Sequence, residues 1–65
     1  MWTVIYLARN KENAVALQNA LEKEGILVKI RATSKDGAVG ENCYEVLVPG
    51  AEVEEAHGII IDIGF

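Results

Sequence analysis

Apolar residues along this chain switch between two periods, and the switches divide it into five elements. Residues 2–8, Trp-Thr-Val-Ile-Tyr-Leu-Ala, are almost wholly apolar and rich in β-formers. Strict alternation puts Thr3, Ile5 and Leu7 on one face and Trp2, Val4 and Tyr6 on the other, so neither face is polar. Asn10 is a good helix N-cap, with Asn13 where a capping box carries Glu or Gln. Ala14, Leu17 and Leu21 then recur at helical spacing with Ala20 beside them, and Glu12, Gln18, Glu22 and Lys23 make up most of the opposite side. Gly25 supplies a left-handed residue past the end, which predicts a helix over residues 11–24.

From residue 26 to 33 the period returns to two. Ile26, Val28, Ile30 and Ala32 alternate with Leu27, Lys29, Arg31 and Thr33, the pattern of a half-buried strand. Residues 34–41 hold two glycines and three charges among eight positions and read as a mobile hairpin loop. Residues 42–49 form the central strand, ended by Pro49, which cannot donate to a ladder. Tyr44, Val46 and Val48 share one of its faces, and Cys43, Glu45 and Leu47 the other. Glu45 is placed to pair with Lys29 or Arg31 across the strands. Beyond Pro49-Gly50, Glu52, Glu54 and Glu55 favour the positive end of a helix dipole. Val53, Ala56, Ile60 and Ile63 lie roughly along one side, which predicts a helix to about residue 62. The alternative is that Gly58 ends a two-turn helix and residues 59–63 form a short fourth strand.

Strand, helix, strand, strand, helix is the order of an α+β, ferredoxin-like βαββα sandwich. Its split βαβ unit gives sheet order 1-3-2 with every neighbouring pair antiparallel. Two helices cover one face of such a sheet and leave the other open, together with the edge of the first strand. Trp2, Val4, Tyr6, Leu27, Leu47, Ile59 and Phe65 exceed what so small a core holds. Trp2, Val4, Tyr6, Leu27 and Leu47 are therefore the candidate interface.

The length sharpens that expectation. Sixty-five residues make one domain, spanning residues 1–65. A chain of this size buries only about 60 % of its unfolded surface, so it needs support. Cys43 is the only cysteine, which excludes an internal disulfide, and no Cys/His cluster could hold a structural zinc. Association is the remaining remedy, and a homo-oligomer is expected. No signal peptide opens the chain and no apolar run approaches membrane-spanning length, so the expected location is cytoplasmic, away from membranes.

Ten acidic against six basic residues give a net charge of −4, the wrong sign for a nucleic-acid or anionic-membrane binder. Lys29, Arg31 and Lys35 make a local basic stripe near Tyr44, with Trp2 or Tyr6 able to share a sheet face with it. On RNA-binding domains of this architecture such aromatics stack bases. The charge balance instead favours a solvated face with a cross-strand ion pair.

Candidate chemistry is sparse. Arg9, Asn10 and Lys11 lie at a helix start, where free amides and two cations could hold a small anion. The simpler account is a capped helix, since no glycine-rich loop is present to wrap a phosphate. His57 follows Glu54 by three residues, a spacing typical of a helix-surface pair, and supplies too few ligands for a metal. Cys43 is a lone strand thiol, of a size suited to packing. No metal and no cofactor is expected.

Several segments together resemble a family of very small bacterial signal-transducing proteins. They are Met1-Trp2-Thr3-Val4-Ile5-Tyr6, the Asn10-Lys11 helix start, Leu21-Glu22-Lys23-Glu24-Gly25-Ile26-Leu27-Val28, Tyr44-Glu45-Val46-Leu47-Val48-Pro49 and Glu52-Val53-Glu54-Glu55-Ala56, covering nearly the whole chain. The resemblance implies a fold similar to the nitrogen-regulatory GlnB-like proteins, a branch of the ferredoxin-like architecture. Those proteins use a long loop between the second and third strands to reach partners, whereas residues 34–41 are short. Some members of the small family carry the name glutamate decarboxylase, but 65 residues cannot enclose a pyridoxal-phosphate pocket. The expected function is thus a non-enzymatic regulatory or interaction module that self-associates and binds a protein or a small anionic ligand. Two alternatives stand beside it. One is a minimal enzyme with a site between subunits built from Cys43, His57 or the Arg9–Lys11 helix start, and the other is a structural partner in a larger complex.

Overall fold

The computed structural model describes residues 1–34 and 42–65. Its elements are β1 (Trp2–Ala8), α1 (Lys11–Lys23), β2 (Lys29–Ser34), β3 (Asn42–Pro49) and α2 (Val53–Asp62), the last preceded by one 3₁₀ turn, Gly50–Glu52. The sheet order is β1-β3-β2, and both pairings are antiparallel. β1 and β2 therefore run the same way with β3 inserted between them, as the split βαβ order predicts. The molecule is a small α+β fold, compatible with a ferredoxin-like architecture. The hairpin loop expected at residues 34–41 lies, from residue 35 onward, outside the described residues.

Helix α1 starts where Asn10, in extended conformation, accepts a hydrogen bond on Oδ1 from the Asn13 amide at 2.8 Å. One of the four orphan amides of the first turn is thereby satisfied. The other end is a Schellman stop. Gly25 adopts φ +86°, its amide donates to the Glu22 carbonyl at 3.0 Å, and the Ile26 amide reaches back to Leu21 at 3.2 Å. Ile26 is thus delivered onto Leu21 and buried. That commitment also explains why β2 does not begin at residue 26, since the Ile26 amide serves the helix end and cannot serve a ladder; pairing starts at Lys29.

Helix α2 ends by the same device. Gly64 has φ +76°, its amide donates to Ile61 at 3.2 Å, and the Phe65 amide donates to Ile60 at 3.1 Å. Residues 59–62 are helical, so the short-fourth-strand alternative does not form and the chain continues through Gly58 without a break. A helix satisfies its own backbone, whereas a fourth strand would need a sheet edge to pair with.

The core lies between the helices and one face of the sheet. Leu17 and Leu21 of α1 meet Val46 and Val48 of β3, all four fully buried, with Ala8, Ala14, Ile26 and Ala56 completing the cluster. Three alanines in this set leave no bulk beyond Cβ, which lets helix backbones approach the sheet closely. Val53, Ile59 and Ile60 pack on the cluster from α2, whereas Ile63, expected on the same side, is exposed. The helix turns past the core at that point and hands the contact to Phe65.

Leu17→Ala should remove about 2–5 kcal/mol, a large share of a small domain's stability, seen as a lower urea midpoint with an unchanged slope. Two glycines should respond oppositely to alanine. Gly58→Ala, where an added Cβ meets nothing within 4 Å, should stabilise by about 1 kcal/mol through helix propensity. Gly25→Ala has equal room but a left-handed backbone, and should destabilise by about 1–2 kcal/mol in the same titration.

Candidate functional site

With both helices on one side, the opposite face of the sheet is where a site can form, and the register of β1 decides its composition. Pairing with β3 runs Trp2↔Pro49, Thr3↔Val48 and Val4↔Leu47, then steps to Tyr6↔Val46, Leu7↔Glu45 and Ala8↔Tyr44. Ile5 is the extra residue of a β-bulge. A bulge opposes two residues to one and so shifts the alternation by one position. Before it, even-numbered side chains face away from the helices; after it, odd-numbered ones do.

This corrects the strict alternation expected for β1. Tyr6, expected on the open face with Trp2 and Val4, points to the core instead. Its ring meets Phe65 edge-to-face, with centroids 5.3 Å apart and planes at 68°. Ile5 also packs against the core cluster. Leu7, expected with Thr3 and Ile5, faces outward and is 53 % exposed. The resulting outer column of β1 is Trp2, Val4 and Leu7, all three exposed.

The neighbouring columns follow from the ladder. On β3 the open face carries Pro49, Leu47, Glu45 and Cys43, and on β2 it carries Lys29, Arg31 and Thr33, directly opposite Leu47, Glu45 and Cys43. Arg31 Nε and Nη2 both reach Glu45 Oε1, at 2.7 and 2.6 Å. This is the expected cross-strand pair, with Arg31 and not Lys29 as the partner. The guanidinium is largely in water, so the pair contributes no more than about 1 kcal/mol.

Lys29 does something else. Its Nζ lies 5.7 Å from the centroid of the Trp2 ring, although the two residues come from the strands flanking β3. They meet across the central strand and, with Val4, roof Leu47. That is why Leu47 is only 4 % exposed while standing outside the helix-side core. The cation–π contact contributes about 0.5–1 kcal/mol at such an exposed position. Of the five candidate interface residues, Trp2 and Val4 are thus exposed on the open face, Leu27 is exposed just ahead of β2, Leu47 is covered, and Tyr6 is on the other side.

Comparison with family models, curated proteins and solved structures returns no match. What the chain can do must therefore be read from its own surface.

The other candidate residues stay dispersed. Arg9, Asn10 and Lys11 are exposed at the start of α1, where the Asn10 carboxamide caps the helix. Cys43 is half-buried on the open face and His57 is exposed on α2, so the sheet stands between the only thiol and the only imidazole. No single chain brings them together. Among the described residues no group of three or more His, Cys, Asp or Glu side chains gathers for a metal. No helix among them is long and apolar enough to cross a membrane.

Sequence alternation missed the roles of Leu7 and Phe65. No residue type marks the bulge at Ile5, but Gly64-Phe65 after a helical run repeats the Gly25-Ile26 signal of a Schellman stop with an apolar residue behind it.

The two faces of β1 should tolerate charge differently. Tyr6→Glu should cost about 2 kcal/mol or more by burying a carboxylate against Phe65 and the core, whereas Val4→Glu should cost about 1 kcal/mol or less. Thermal unfolding followed by circular dichroism separates them, and equal losses would contradict the bulged register.

Proposed function

We propose that this chain is a small, non-enzymatic regulatory module that works by docking another polypeptide on the open face of its sheet. The observation that carries the reading is the outward apolar column Trp2, Val4 and Leu7, on the face of the sheet that neither helix covers. An apolar column flanked by a polar rim is the usual composition of a contact surface. Here the rim is Arg31 with Glu45 and Thr33, and the centre is the roofed Leu47. The strand order and the resemblance to the GlnB-like branch of ferredoxin-like proteins support a signal-transducing role. A small anionic ligand at Arg9, Asn10 and Lys11 is a less developed reading, because the cap already takes one amide and all three residues are exposed to solvent.

The enzyme alternative finds less support. A nucleophile needs a base within hydrogen-bond reach, and Cys43 and His57 lie on opposite layers of the same chain.

The test is paired capture. Wild type and Val4→Glu, each immobilised through a C-terminal tag, are exposed to extract of the native host and to the purified chain itself. Partners that bind wild type and are lost on Val4→Glu support the open face as the docking surface. Identical capture by both proteins, or none by either, sinks the reading.

A further inference from the structure

We infer that the polypeptide docked on the open face is a second copy of this chain, packed face to face about a two-fold axis along β3 in a weak, reversible dimer. The inference rests on the docking role assigned to that face and adds the partner and its orientation.

Edges are the first competitor, and the structure disfavours them. Continuing the sheet through β1 would require a regular row of amides and carbonyls, but the bulge at Ile5 interrupts the strand midway. Through β2, an incoming strand would bring its side chains beside Lys29 and Arg31, both exposed. The open face, in contrast, carries no helix, and at its centre only the side chains of Trp2, Val4 and Lys29 lie over Leu47.

Its area fits a weak dimer. Three strands at about 4.8 Å spacing and seven residues at about 3.3 Å rise outline a rectangle of roughly 330 Å². Allowing for corrugation, each copy would bury roughly 500 Å², about 1,000 Å² in all, at the lower bound for a specific interface. Such an area suits association that responds to concentration.

Charge selects the orientation. A two-fold axis across the strands would set β2 on β2 and place Lys29 and Arg31 of one copy against the same cations of the other. An axis along β3 sets β2 of each copy on β1 of its mate, because the axis exchanges left and right at constant height. The register then places Lys29 over the mate's Val4 and Arg31 over its Leu7, since Val4 and Lys29 both pair with Leu47 and Leu7 and Arg31 both pair with Glu45. The alkyl stems of both cations cover the mate's apolar column, with the Lys29 head against its own Trp2 ring and the Arg31 head on its own Glu45. The two Glu45 side chains approach near the axis, each already neutralised by its own Arg31.

Trp2 is the only tryptophan and lies in the proposed interface, so it reports occupancy without a label. The experiment is sedimentation equilibrium from low micromolar to millimolar concentration, with acrylamide quenching of Trp2 over the same range. The expected result is a mass rising from 7.1 kDa to twice that value, with quenching falling in parallel. Val4→Glu should raise the dissociation constant at least about tenfold while keeping the wild-type circular dichroism spectrum. For orientation, Val4→Cys and Lys29→Cys are each made in a Cys43→Ser background, mixed, and treated with a short bis-maleimide. Crosslinks between the two variants should exceed those of either variant with itself.

A monomer at every concentration overturns the inference, and the docking role survives only if Val4→Glu still abolishes capture of a different protein. A dimer unaffected by Val4→Glu overturns the inference, and the docking role then falls as well unless Val4→Glu abolishes capture of a different protein. Predominant self-crosslinking of the Val4→Cys variant overturns the proposed axis.

Discussion

One additional residue in β1 governs what this sheet keeps and what it presents. Without the bulge at Ile5, Thr3, Ile5 and Leu7 would all face the helices, and Tyr6 would join Trp2 and Val4 outside. With it, the register changes phase midway. The aromatic ring of Tyr6 and the small side chain of Ala8 turn inward, and Leu7 turns out. The core gains a partner for Phe65 and a residue small enough for close approach, while the open face gains an aliphatic side chain beside Glu45. A strand apolar on both alternating sets makes the shift inexpensive, because either phase buries hydrophobic groups.

Both helices finish in the same way, and in each case the stop builds tertiary structure. A glycine with positive φ lets the chain reverse, and the next residue is apolar and turns back onto the fold, Ile26 buried and Phe65 39 % exposed. At α1 that residue is Ile26, which seals the lower core against Leu21. At α2 it is Phe65, which closes on Tyr6. The bulge and the second stop are thus coupled: one turns the tyrosine ring inward and the other brings the phenylalanine to it. This sheet-to-helix contact is made by residues far apart in sequence, in a domain whose core otherwise rests on short aliphatic side chains.

Much of this was legible in the sequence, and the rest has identifiable reasons for hiding. The bounds of β3, the Asn10 cap, the Gly25 stop and the 1-3-2 order all follow from periods and special residues that act locally. A cross-strand pair of Glu45 with Lys29 or Arg31 followed from alternation in the two strands where alternation is regular, and the register selects Arg31. β1 resisted because a bulge is a property of pairing, fixed by the partner strand, and Val-Ile-Tyr-Leu carries no residue that announces it. Leu47 resisted for a different reason. Its burial depends on Lys29 and Trp2 meeting over the central strand, and such a roof is invisible to any scheme that sorts residues by face alone. Phe65 was readable in principle, since Gly64 before it repeats a signal already recognised at Gly25.

The irregular edge of β1 also bears on how such a chain avoids endless growth. β1 and β2 are both edge strands of a sheet only three strands wide, and they run in the same direction. Docking one edge on the other from molecule to molecule would not close on itself, and the product would be a filament. Val4-Ile5-Tyr6-Leu7 has the composition of a fibril-forming segment, being apolar, β-prone and uncharged. By kinking at its middle, that segment withholds the straight template that fibril growth copies. The same residue that sorts the side chains of one molecule thereby makes its edge a poor template for adding another strand.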